Sequence, residues 1–164
     1  LPENQNALFI GKFRIPTKAH IGIIEEALKE FNHVVVCVVK AKKETKRALP
    51  LDIQEEILDN IFGRKITVIT HSTGNITSII NKSPKRLRYL LAGTDRVKDY
   101  ESQLSRHPSL SIVETKRDES SKENVSATKA IEALEDGDEA TFKKMMHRKT
   151  WKMFDKIKGE LKWN

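Results

Sequence analysis

The 164-residue chain has one cysteine, only 6% aromatic residues, and no apolar run near the roughly 18 residues that a bilayer crossing needs. A single thiol can build neither a disulfide framework nor a cysteine zinc site, and Cys37 lies inside "HVVVCVV", where it reads as core. His33, His71, His107 and His147 form no metal-binding spacing. The expected protein is therefore soluble, unanchored and without a resident metal, in a reducing compartment such as the cytoplasm. Seven glycines and five prolines, nowhere concentrated, leave no low-complexity linker, and no internal repeat is visible. The length suits one domain.

An even spread of charge is missing as well. The net charge is +7, and between Lys143 and Asn164 eight Lys or Arg face two acids, which puts +6 in the tail and leaves +1 for the rest. That distribution excludes a uniformly basic nucleic-acid-binding body. In the tail, Met146, Thr150, Phe154, Ile157 and Leu161 fall on one helical face with lysines around it, predicting a basic amphipathic helix over 143–164.

What is present is alternation. "ALFIGKF" reads as a buried strand, and "AHIGIIEEALKEF" as a helix with Ile23, Ile24, Ala27, Leu28 and Phe31 on one face. "HVVVCVVKA" is a β-branched run of the kind buried on both faces of a parallel sheet. A basic loop, "KKETKRALP", leads to a helix capped by Asp52; strands follow at "KITVIT", "LRYLLAG" and "LSIVETK", with helices at 75–81 and 97–107 between them. "RDESSKEN" reads as a charged loop, and a helical pattern begins at Ser126 with a break at "DGD". The pattern predicts an α/β fold, an open parallel sheet of five strands with helices on both faces and a C-terminal helical extension. Ligands of such sheets bind beyond the carboxyl ends of the strands. "GKFRIPTKAH", "AGTDR" and "NVSATK" all follow strands and should converge there.

Those three segments carry a resemblance. "GKFRIPTKAH" resembles the first motif of the small nucleotidyltransferases of the HIGH superfamily, approximately G-x-F-x-P-x-H/T-x-G-H; "NVSATKAI" resembles their second, I-S-S/T-T-x-x-R; and "LLAGTDRVKDYE" is similar to their segment after the fourth strand. The literal "HIGI" also resembles the signature of class I aminoacyl-tRNA synthetases, but the chain is too short for one and has no KMSKS-like loop. The resemblance implies a Rossmann-like nucleotidyltransferase domain over 1–142, with 143–164 packed on it or extending from it. The implied reaction moves a nucleoside monophosphate, adenylyl or cytidylyl, from ATP or CTP to a small phosphorylated acceptor, with Mg²⁺ bound to the triphosphate. The nicotinamide mononucleotide adenylyltransferase branch looks nearest. Besides these substrates the expected partners are other copies of the chain, rather than a membrane or nucleic acid.

Carried over by position, His20 donates to the α-phosphate as charge accumulates, and Thr17 offers a hydroxyl to the phosphates. Gly11, with Lys12 and Phe13, admits the nucleotide; Gly93 and Asp95 contact ligand; Ser126 and Thr128 give hydroxyls and helix N-terminal N–H groups to the β- and γ-phosphates, with Lys129 beside them. Lys12, Arg14, Lys40 and Lys42 are candidates to grip the acceptor's phosphate. Taken alone, His20 reads equally as a capping residue, and Ser126 as an N-cap. Ile131 stands where the resemblance would put an arginine, Ala19 where it would put a glycine, Ile15 where it would put a proline, and Glu56 where relatives often carry an arginine. A second reading is thereby left open, that of a weakened nucleotide-binding or interaction module that docks through its basic tail.

Overall fold

β1 (Asn6–Gly11) is the central strand, hydrogen-bonded in parallel to β2 (His33–Val39) on one side and to β5 (Tyr89–Gly93) on the other. β4 (Ile66–His71) and β6 (Ser111–Thr115) complete a sheet of order β4-β2-β1-β5-β6, with every pair parallel. The computed structural model describes residues 5–40, 47–94, 96–115 and 120–163. The five expected strands are all present. A short pair, β3 (Arg47–Ala48) with β7 (Lys162–Trp163), forms an antiparallel ribbon that sequence patterning did not indicate.

The alternation of β2 shows why its apolar run is continuous. Val34, Val36 and Val38 enter one core layer together with α1 (Lys18–Glu30) and α2 (Leu51–Phe62), while Val35, Cys37 and Val39 enter the other with α3 (Ile76–Lys82) and α4 (Val97–Gln103). Burial pushes the Cys37 thiol up to about 12, so it is an inert core group. No helix among the described residues is long and apolar enough to cross a membrane.

Two helix starts differ from expectation. α2 begins at Leu51 behind Pro50, whose carbonyl accepts from the Ile53 and Gln54 N–H groups at 3.1 Å each. Asp52 is thus inside the first turn instead of capping it, and its carboxylate accepts from the Ile53 N–H at 3.0 Å. α5 (Ser120–Asp136) starts six residues before Ser126 and absorbs most of the segment read as a charged loop. Nothing between Ser120 and Ser126 is glycine or proline, so no residue there stops the helix from extending backward. Its other end is where "DGD" put it. Gly137 (φ +69°) takes the left-handed conformation, Asp138 N–H returns to the Ala133 carbonyl at 2.8 Å, and the Asp138 carboxylate caps α6 (Glu139–Met145) through the Thr141 N–H.

The tail is not one helix. His147 is extended (φ −59°, ψ 142°) and its Nδ1 accepts from the Lys149 N–H at 3.1 Å, which interrupts the helix after α6; a 3₁₀ turn over Arg148–Met153 then leads to α7 (Phe154–Glu160). The Trp151 indole N–H donates to the Lys143 and Met146 carbonyls, partners that the end of α6 would otherwise lack. The expected apolar face is nonetheless buried, and Met146, Phe154, Ile157 and Leu161 belong to the same core as β1, α1 and α5. A boundary at residue 142 therefore does not separate two packing units, since the Phe142 and Phe154 rings meet edge to face at 5.0 Å across it.

Ile157, fully buried in that core, is predicted to cost about 2–5 kcal/mol when changed to Ala. The denaturation midpoint should shift within a single cooperative transition. His33 and His147 both titrate below the ordinary imidazole value, His33 through burial and then Lys85, His147 through burial against a smaller opposing effect of Glu25. Unfolded imidazoles titrate near ~6.5, so below that value the unfolded chain binds more protons and stability falls with pH. Urea midpoints should be lower at pH 5.5 than at 7.5, and changing both histidines to Asn should narrow the difference.

Candidate active site

The order of the sheet reverses at β1, and its carboxyl edge opens there. Pairing of β1 with β2 runs through Gly11↔Val38, whereas pairing with β5 ends at Phe9↔Leu91, so Gly11 and Gly93 finish neighbouring strands without joining. A crevice at this point is where parallel sheets take ligands.

The first motif turns away from β1 with alternate residues in and out. Phe13 and Ile15 are buried, Lys12 is exposed and Arg14 half-buried. The Phe13 ring folds back over its own strand, and a Cβ on Gly11 would lie 2.5 Å from ring atoms Cε1 and Cζ. Gly11 thus makes room for Phe13; the space expected for nucleotide at that glycine is filled by the protein itself. The same ring meets His20 edge to face at 4.7 Å and leans on Phe9 at 5.5 Å.

His20 is the third residue of α1, and its Nδ1 accepts from the Thr17 backbone N–H at 3.2 Å. A backbone N–H can only donate, so Nδ1 is the bare nitrogen and Nε2 carries the hydrogen. The capping reading of His20 is thus observed in its Nδ1, and the ring as a whole is buried, 4% exposed. Thr17 is fully buried, with Oγ1 3.3 Å from His20 Nδ1. Its hydroxyl faces the imidazole.

The second motif departs further from expectation. Because α5 is already helical at Ser126, neither Ser126 nor Thr128 lies at the helix start, and no terminal N–H groups are offered there. Residues two apart on a helix point about 200° apart. Accordingly, the Thr128 hydroxyl accepts from Arg14 Nη2 at 2.8 Å, whereas the Ser126 hydroxyl is directed at Met145 Sδ, 4.0 Å away. Thr128 joins the first motif and Ser126 does not. Lys129 is exposed, and Ile131 is in the core. Glu56, far from any phosphate role, pairs with Lys156 of α7 at 2.7 Å.

After β5 the chain turns tightly, with the Arg96 N–H returning to the Gly93 carbonyl at 2.9 Å and the Arg96 guanidinium over the Tyr100 ring. Asp95 and Lys42 fall outside the described residues.

A cleft of about 350 Å³ lies between the ends of β1 and β2 and the start of α2. Lys12, Arg14 and Lys40 line it, facing Pro50, Asp52 and Gln54. Burial lowers the Arg14 pKa, the signature of a cation that has given up part of its hydration and favours an anion beside it. Sequence reasoning missed Gln54. Its Nε2 donates to the Leu49 carbonyl at 2.8 Å and holds the cleft wall, yet nothing in the pattern of an amphipathic helix singles out one buried amide. A second groove, about 590 Å³, follows α1 beside β5 and β6; Ala19, Gly22 and Thr115 are neutral, whereas Glu26, Glu30 and Glu114 make much of its length unsuited to a polyphosphate.

Comparisons with known proteins agree with this fold. The sequence profile described as cytidylyltransferase-like matches residues 8–133. No curated protein matches in sequence. Among solved structures, the Plasmodium falciparum nicotinic acid mononucleotide adenylyltransferase complexed with NaAD superposes with a TM-score of 0.63 at 14% identity, over 96% of this chain and 98% of that one. The bifunctional NMN adenylyltransferase/ADP ribose pyrophosphatase of Francisella tularensis superposes with a TM-score of 0.64 at 9% identity, over 93% of this chain and 49% of the other. At such identities the structures speak for the fold, and the profile for the family. With strand order, first motif and profile in agreement over most of its length, the chain belongs to the cytidylyltransferase-like family of nucleotidyltransferases.

Proposed function

We propose that the protein transfers an adenylyl group from ATP to a small phosphorylated acceptor of the nicotinamide or nicotinic acid mononucleotide type, releasing pyrophosphate; the cytidylyl reaction from CTP is the variant of the same chemistry. The observation that carries this reading is the Arg14–Thr128 hydrogen bond, which closes the first motif onto the second; within that first motif His20 carries its hydrogen on Nε2. The substrates named for the Plasmodium and Francisella proteins support the choice of acceptor.

In this reaction an acceptor phosphate oxygen attacks the α-phosphorus, and the bond to the bridging oxygen breaks as pyrophosphate leaves. No proton need be taken from the nucleophile, so catalysis consists of alignment and charge stabilisation. His20 donates from Nε2 to the α-phosphate oxygen on which charge accumulates. Thr17 holds the ring through its amide, and Phe13 holds it from the side. Lys12, Arg14 and Lys40 attract the acceptor phosphate into the cleft, while the neutral stretch at Ala19, Gly22 and Thr115 suits the nucleoside. Among the described residues no group of three or more His, Cys, Asp or Glu could hold a metal; a Mg²⁺ in this reaction would be carried by triphosphate oxygens and water. When bound, that ion screens the triphosphate charge. The docking alternative loses the apolar face of the tail, which is spent on the protein's own core; its motives, the isoleucine at position 131 and the +6 charge of the tail, are untouched by that.

His20→Ala is predicted to lower kcat by about 10²–10³ while nucleotide affinity changes only a few-fold. Pyrophosphate release, measured with ATP and CTP against a panel of phosphorylated acceptors, checks this. Absence of release for every pair with the parent protein would end the enzymatic reading.

A further inference from the structure

We infer that Arg14 is a bridging cation whose guanidinium is shared between the phosphate of the acceptor and the triphosphate of the nucleotide. This rests on the reaction proposed above. Two polyanions must be brought into contact for that reaction, and their mutual repulsion opposes the approach. A positive charge held between them offsets it for both at once.

Among the described residues, Arg14 is placed for this as no other cation of the cleft is. Lys12 and Lys40 are exposed. Arg14 is half-buried and held from both sides, with the buried side chains of Phe13 and Ile15 flanking it in sequence, its N–H donating to the Lys12 carbonyl at 3.0 Å and its own carbonyl accepting from the Leu49 N–H at 2.9 Å. Leu49 belongs to the opposite wall of the cleft. The side chain lines that cleft and also reaches Thr128 Oγ1 at 2.8 Å, 114 residues further along the chain. One residue therefore touches the acceptor side and the second motif together. Among its described side chains α5 supplies no equivalent, since Ile131, one turn beyond Thr128, is 4% exposed within the core and Lys129 is exposed. A guanidinium, with five donors in a planar fork, can hold two anions in fixed directions, whereas an ammonium acts as a point charge.

The test is calorimetric titration, with Mg²⁺, of a methylene-bridged ATP analogue that cannot be cleaved and of nicotinamide mononucleotide, each alone and each in the presence of the other. In the parent protein neither ligand should weaken the other. In Arg14→Gln each should bind roughly tenfold or more weakly alone, and binding of the first should weaken the second by a further factor of about ten. Arg14→Lys should recover much of each single affinity and little of the coupling, while Lys12→Gln should leave the coupling intact. If Arg14→Gln keeps its unfolding midpoint but weakens only one ligand, or leaves the coupling unchanged, the bridging role is wrong and the proposed reaction stands. If Arg14→Gln does not fold, unchanged coupling in Arg14→Lys overturns the bridge equally. A parent protein that binds neither ligand and releases no pyrophosphate overturns the reaction, and the bridge with it.

Discussion

The Phe13 ring lying on Gly11 is the contact from which the site is built. An aromatic ring can settle on a strand's last residue only where that residue has no Cβ, and at 2.5 Å even a methyl group would displace it. Once seated, the ring offers an edge to His20 and leaves the following residues to alternate between core and cleft. Ile15 goes in and Arg14 stays at the boundary, and Thr17 arrives at the helix start with its amide aimed at the imidazole. The spacing of glycine, aromatic, threonine and histidine is thus a single packing unit. That packing fixes the His20 ring by its Nδ1 and sets the Arg14 guanidinium at the wall of the cleft.

Charge in this protein divides into two populations with different work. Most of the net +7 is in the tail, and three of its eight cations serve internal contacts: Lys156 pairs with Glu56, Lys149 Nζ donates to the Ile61 carbonyl at 3.2 Å, and Lys143 lies over the Trp151 ring. The Lys156–Glu56 pair is about half exposed on both sides and is worth only ~0–1 kcal/mol, so it orients α7 more than it stabilises the fold. At the site the cations are few and close together. Net charge located the tail, whose apolar face is structural, and said little about the cleft, which Lys12, Arg14 and Lys40 line.

The features that could be read from sequence are those fixed by neighbours along the chain. The β-branched run of β2, the glycine break after α5 and the strand-to-helix turn after β1 each follow from residues within a few positions, and each is found where the pattern puts it. The orientation of Ser126 was not of this kind. Whether it faced the site depended on whether the helix had already begun, and a run of charged residues without glycine or proline does not mark that point. Six residues of extra helix turn a pair of hydroxyls that would converge into a pair that diverge. The tail went differently for a similar reason, in that one imidazole competing for a backbone N–H broke a helix whose apolar periodicity was otherwise correct.

The cleft wall shows most clearly why the remainder was out of reach. Residues 47–50 are held by a two-residue ribbon with β7, by the Arg47–Glu135 ion pair at 2.9 Å to α5, by the Gln54 amide from α2 and by the Arg14 carbonyl from the first motif. Four elements scattered over more than a hundred residues thus hold one short segment, and no one of them announces the others. Because α5 carries both Glu135 and Thr128, a shift of that helix would move the wall and the Arg14 anchor together. The tail matters to the site through this route: α7 packs into the core shared with α5, so the part of the chain farthest from the motif helps set the width of the cleft the motif lines.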